Sequence, residues 1–215
     1  MLTHNLPSKL TAKTLNGYLA ALCLTASIIM TDTVSAQNIS PPAGLDNMTV
    51  EETRAIAHEL LNQLGQKLKS TMSTQGPEAA VSVCKEASPS IAKTLSAKHG
   101  AQMTRVGTRV RNPSMGTPNQ WQKDALMQFE SRLAQGEAPA TLEYWKVVDI
   151  DNGKRELHYA KAIMIQPLCL SCHGAASEIP TSLSEKIRIE YPQDQATGYT
   201  VGELRGAVVV NKKLN

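Results

Sequence analysis

Two cysteines and a histidine stand together in the run Cys169-Leu170-Ser171-Cys172-His173, with Gly174 behind them. Two thiols with two residues between them, and an imidazole next to the second, match the attachment motif of c-type haem. Each sulfur can form a thioether to a haem vinyl group, and the adjacent imidazole is placed to bind iron from below. Two other chemistries use paired thiols. A structural zinc site calls for four ligands, and no second Cys/His pair at zinc spacing occurs. A dithiol redox centre belongs at a helix start after a buried parallel strand, whereas the preceding residues here read as a hairpin. Haem attachment needs only this pentapeptide and export.

Export is legible at the N-terminus. Lys9 and Lys13 precede an apolar run from Tyr18 to Met30, and Val34-Ser35-Ala36 supplies small residues for cleavage before Gln37. The run is shorter than the ~20 residues that span a bilayer. Leu22 ahead of Cys23 is too large for a lipid-attachment site. Residues 1–36 are therefore expected to be a signal peptide, delivering the chain to the periplasm with no stable membrane insertion after cleavage. The polar, Pro-containing residues 37–47 read as a flexible lead-in. Residues 48–215 form one domain, a length that buries an adequate core. A net charge of +3 over 215 residues, with no basic stripe carrying aromatics, argues against nucleic acid.

The remaining cysteines are Cys84, Cys169 and Cys172. With the pair consumed by haem, Cys84 is a lone thiol in an oxidising compartment and needs an explanation. His173 is the expected fifth iron ligand. Candidates for the sixth are Cys84, His99, His158, Met103, Met115, Met127 and Met164. Met127 lies in an apolar stripe and reads as core, His158 alternates along a strand, and Cys84 lies on a helix face of small residues. Arg105, Arg109 and Arg111 precede Asn112-Pro113. They form either a solvated basic strand or, for Arg109 and Arg111 above all, a guanidinium clamp for haem propionates.

Periodicity places the elements that must position these groups. Ile56, Leu60, Leu61, Leu64 and Leu68 predict a helix over 49–72, capped by Thr49 and Glu52. His58 falls off its apolar stripe. Gly76-Pro77 starts a second helix carrying Ala79, Ala80, Val83, Cys84 and Ala87 inward, and Ser88-Pro89 a third that stops at Gly100. A short strand over 103–110 comes next, then a helix from Thr117-Pro118 to Gly136. Residues 142–150 and 154–165 form a hairpin through Asp151-Asn152-Gly153. Residues 175–184 are loop or short helix, 186–191 are short and alternating, and 204–211 form a last strand buried on both faces. The fold class is α+β: N-terminal helices packed on an antiparallel sheet, with the attachment motif in a loop or short helix after the hairpin.

The helical Cys84 segment, Arg111-Asn112-Pro113, Pro167 to Gly174, Tyr191-Pro192-Gln193-Asp194 with Ala196 and Gly198, and Gly202 to Ala207 together resemble one family. It is the PAS-like c-type haem domain, long a domain of unknown function. That family includes stand-alone exported cytochromes, a cyanobacterial one among them, and the sensory parts of bacterial signalling proteins. The resemblance spans about residues 48–213. It implies one covalently attached haem c in a PAS-like fold, with His173 as one axial ligand and, as in the cyanobacterial relative, Cys84 as the other. The implied function is a monohaem cytochrome carrying single electrons to a separate redox partner protein. A haem-based redox or gas sensor acting through a partner is the alternative, and an enzyme of peroxidase type is disfavoured.

Overall fold

The computed structural model describes residues 41–214. The expected signal peptide and the start of the lead-in lie outside the described residues. The helix α1 runs Asn47–Gln75. Its N-cap is Asp46, whose carboxylate accepts from the Thr49 backbone N–H at 2.7 Å and from the Thr49 hydroxyl at 2.8 Å. Thr49 is thus the third residue of the helix rather than its cap, because an ionised Asx side chain satisfies the orphan amides of the first turn better than a later hydroxyl. Gly76, at φ 89°, ends α1 in a backbone conformation that a side chain would disfavour.

Helix α2, Pro77–Ser82, continues through a π turn at Val83–Ala87 into α3, Ser88–His99. The Ser88 amide reaches back five residues to the Val83 carbonyl. This extra residue shifts the phase of the inward face: Ser88 is buried, while Ala87, on the stripe read from sequence, is only half-buried. Gly100, left-handed at φ 59°, closes α3. The strand β1, Ala101–Gly107, starts directly after it. Asn112 caps a single turn, α4, Pro113–Gly116. Helix α5, Gln120–Ala134, opens with an Asn119/Gln122 capping box.

β2, Glu143–Ile150, and β3, Lys154–Met164, form the expected hairpin. Asn152 and Gly153 take positive φ in its turn, as a tight hairpin requires. The attachment motif comes after β3 as a 3₁₀ turn at Pro167–Cys169 and a one-turn helix α6, Leu170–His173. Helix α7, Thr181–Glu190, occupies the segment expected to be loop and then a short alternating stretch. Leu183, Ile187 and Tyr191, four residues apart, are the buried ones, and Ile189, which suggested alternation, is exposed. The final strand is β4, Leu204–Leu214.

All strand pairs are antiparallel, in the order β1-β4-β3-β2. β4 is therefore central, and Ala207 to Val210 are buried on both faces as expected. α1 and α3 cover one face, where Ile56, Leu60 and Leu95 meet Met103, Leu157, Tyr159, Val208 and Val210. α5 covers the other, with Ala125, Leu126 and Phe129 against Val106, Ala160, Ala162 and Val209. Met127 points away from that core and is exposed, contrary to the core role expected of it. Its neighbours Leu126 and Phe129 take the inward positions on this short helix. Among the described residues, no helix is long and apolar enough to cross a membrane.

Candidate functional site

Two small apolar clusters clamp the attachment motif. Cys172 packs against Val81 of α2, Ile179, Leu183 and Ile187 of the α7 segment, and Tyr191. Cys169 and Leu170 pack against Ile165, Ala196 and Tyr199. The turn itself is tight. A Cβ on Gly174 would lie 2.7 Å from the Leu170 carbonyl oxygen, so only glycine fits without a shift. Cys169, Cys172 and Cys84 are free thiols and all are half-buried. Burial raises the Cys172 pKa, against the pull of the Arg111 guanidinium.

His173 is oriented by the loop after α7. Gly198 donates its amide to the Gly174 carbonyl at 2.7 Å, and Tyr199 donates to the His173 carbonyl at 2.9 Å. The His173 Nδ1 lies 2.6 Å from the Ala196 carbonyl oxygen. A carbonyl only accepts, so Nδ1 carries the proton and Nε2 keeps its lone pair. Burial above all, and then the nearby Arg111 and Arg205 charges, push the imidazole pKa down to about 3. The ring is neutral at physiological pH. A second group fixing the far nitrogen is the usual arrangement for a metal-binding imidazole. The Tyr199 ring meets His173 edge-on at 6.1 Å.

Of the proposed partners for His173, only Cys84 shares its surroundings. Cys84 lies in the π turn and interacts electrostatically with Cys172, Tyr191 and Arg105. Tyr191 is pushed up to about 12, by burial first and then by Cys84. His99 is tied to Glu59 at 2.7 Å at the far end of α3. His158 contacts Glu156 at 2.7 Å and stacks on Trp121 at 4.7 Å under α5. Met103 is core, Met164 packs against the α5 cluster, and Met115 and Met127 are exposed. His58 is exposed on α1. Among the described residues, no three His, Cys, Asp or Glu side chains converge as a metal cage.

The arginines expected to clasp propionates have partners of their own. Arg111 is buried, pairs with Asp194 at 3.0 Å, and donates to the Cys172 carbonyl at 2.6 Å and the Ala196 carbonyl at 3.3 Å. It braces the motif against the loop that holds His173, and its Nε is buried without an acceptor. Arg109 lies over the Tyr199 ring at 3.8 Å, donates to the Thr197 carbonyl at 2.6 Å and meets Glu203 at 3.4 Å. Asp194 and Arg205, which lie within the stretches that carry the family resemblance but were given no role, and Tyr199, which was not singled out, also shape the site. The signal that could have found Arg205 is a lone cation before Gly206 at the mouth of an apolar strand.

A family model described as Tll0287-like matches residues 23–212. Among solved structures, the chain resembles the crystal structure of the cyanobacterial haem protein Tll0287, with 26% identity and a TM-score of 0.56. The match covers 77% of this chain and 95% of that one. Comparison with curated proteins gives no significant match.

Proposed function

The chain belongs to the Tll0287-like family, and from that premise we propose that it is an exported monohaem c-type cytochrome passing single electrons in the periplasm. The observation that carries this reading is the neutral His173, with Nδ1 donating to Ala196 and Nε2 left to bind iron beside two free thiols. The likeness to a crystallised cyanobacterial haem protein supports it. So does the donor set, which fits a ferric or ferrous porphyrin better than a closed metal cage.

In this reading Cys169 and Cys172, one helical turn apart, would hold the haem by thioethers, and His173 Nε2 would bind its iron. Cys84, in the π turn close to Cys172 and Arg105, would supply the second ligand to the iron. The haem, one per chain, supplies the one-electron redox couple. The protein's part is to hold His173 neutral and oriented, to keep water from the motif with the two apolar clusters, and to set the potential through the opposing ligand. A thiolate donor keeps such a potential low, where methionine would raise it. The partner is a separate redox protein, and no catalytic turnover belongs to the scheme.

The decisive experiment is maturation of the full chain in a host that attaches haem c. Pigment that stays with the protein on a denaturing gel, and is lost in Cys172→Ala, is the expected result. A colourless wild-type chain would overturn the reading. A sensing role is the second reading, favoured by the π turn under Cys84, since π turns recur at functional sites where a helix must adjust. Ready binding of CO to the reduced protein would promote it over electron transfer.

A further inference from the structure

We infer that Arg105 and Arg205 form the receiving site for the two carboxylates of the haem edge, an inference that rests on haem being the group held at His173. Four guanidiniums surround this end of the sheet, and two of their charges are already answered. Arg111 pairs with Asp194, and Arg109 with Glu203. Among the described residues Arg105 is hydrogen-bonded to the Ser88 hydroxyl at 2.6 Å, and Arg205 to the Arg109 carbonyl at 3.0 Å, with its guanidinium 5.6 Å over the Tyr199 ring. Neutral acceptors satisfy an N–H but do not neutralise a charge. Among the described residues neither arginine has a carboxylate within ion-pair distance.

Withdrawal from water is costly for an uncompensated charge. Burial above all lowers the pKa of both guanidiniums, and on Arg205 the Arg111 and Arg105 charges act in the same direction, against Tyr199 and Asp194. Two positive charges are therefore left over, and a haem carries two propionates. The match is in number as well as in sign. Arg111 Nε, buried with no acceptor, marks a further donor at the same end.

The backbone is shaped to present Arg205. The pairing of β3 with β4 slips by one residue there, from Ile163 opposite Gly206 to Met164 opposite Leu204, leaving Arg205 without a partner on β3, while its carbonyl accepts from the Thr108 amide on the other side at 3.2 Å. A bulge of this kind re-aims a side chain. Gly107 leaves the room: a Cβ on it would lie 2.5 Å from an Arg205 guanidinium nitrogen. Gly206, at φ 153°, lets β1 approach, since a Cβ there would overlap the Val106 carbonyl oxygen. Two glycines and a bulge are more than a surface cation needs.

The test uses the haem-loaded full chain, by resonance Raman of the propionate bending band and by redox titration. Arg105→Leu with Arg205→Leu should shift that band and move the midpoint to more negative potential, because two charges that favour the reduced iron are gone. Arg109→Leu should leave the band in place. Single Arg105→Lys and Arg205→Lys variants guard against a double variant that fails to mature. They keep the charge, so a shifted band with a nearly unchanged midpoint is expected. An unshifted band in these variants, with wild-type haem present, would overturn this inference and leave the cytochrome reading standing. A wild-type chain without haem would overturn both.

Discussion

Among the described residues, two clusters of charge reach from the surface into the packed interior, and they are built on opposite plans. Under α1, Glu143 accepts from Arg54 at 2.8 Å and from the Tyr159 hydroxyl at 3.0 Å, with Lys161 at 3.9 Å. Glu51 completes it on Arg54 at 2.7 Å. Two cations face two carboxylates, and Arg54 also lies over the Trp145 ring at 5.4 Å. At the motif end, four arginines face only Asp194 and Glu203 among the described residues. The first cluster is closed and joins α1 to the hairpin. The second is open by two charges. A network complete within the chain is a strut, and one whose sum is left over points outward to a ligand.

The contrast is broken most forcefully at Glu143. Glu143→Ala would strand Arg54, Lys161 and the Tyr159 hydroxyl at once, and removing one partner of a buried pair costs about 3–5 kcal/mol. Urea unfolding of the variant reads that cost, and a loss below ~1 kcal/mol would mean the strut is ornamental. Gly206→Ala comes next. It combines a positive φ with overlap on the Val106 carbonyl, and about 3 kcal/mol is expected from strain of that kind. The same unfolding curve measures it, and the β1–β4 ladder should lose amide protection first.

Cys84→Ser sharpens the contrast from the open side. The fold should hold to within about 1 kcal/mol, while the ferric absorption spectrum of the haem-loaded chain should change. An unchanged spectrum removes the thiolate from the iron. The smallest effect is an acid limb on the α5 side. Glu137, hydrogen-bonded to Arg132 first and then to Thr141, is held at about 2 against an ordinary 4.5. A carboxyl depressed in the folded state stabilises fully above its unfolded pKa and loses that contribution as pH falls through its folded one. Melting temperature should thus decline between pH 4.5 and about 2, and Glu137→Gln should flatten the decline. Half-exposed neighbours and solvent keep this effect small.

Where the sequence was a good guide, the signal was local. Leu60 and Leu64 repeat at helical steps, Asp151-Asn152-Gly153 can hardly be anything but a turn, and the pentapeptide carries its chemistry within five residues. Ile187 and Ile189 misled because two apolar residues two apart mimic a strand, whereas Leu183 and Tyr191 show that the helical spacing decided the packing. Met127 misled because an apolar residue on a short amphipathic helix can still fall on its outer face. The cradle of His173 depends on a backbone carbonyl at Ala196 and a loop brought from about twenty residues away. No residue type announces a carbonyl. Arg205 likewise acquires its meaning only from a bulge and from Gly107 on a neighbouring strand.

The π turn at Val83–Ala87 has a consequence for heredity as much as for geometry. One residue more than α spacing needs is lodged between α2 and α3. Deleting a single codon there would let the segment close up as ordinary α-helix and rotate α2 against α3 by about 100°. Cys84 would then face elsewhere while α3 kept its seat on the sheet. The second ligand proposed for the iron thus hangs on the length of five residues, so a lineage could gain or lose it by one insertion or deletion without rebuilding the core.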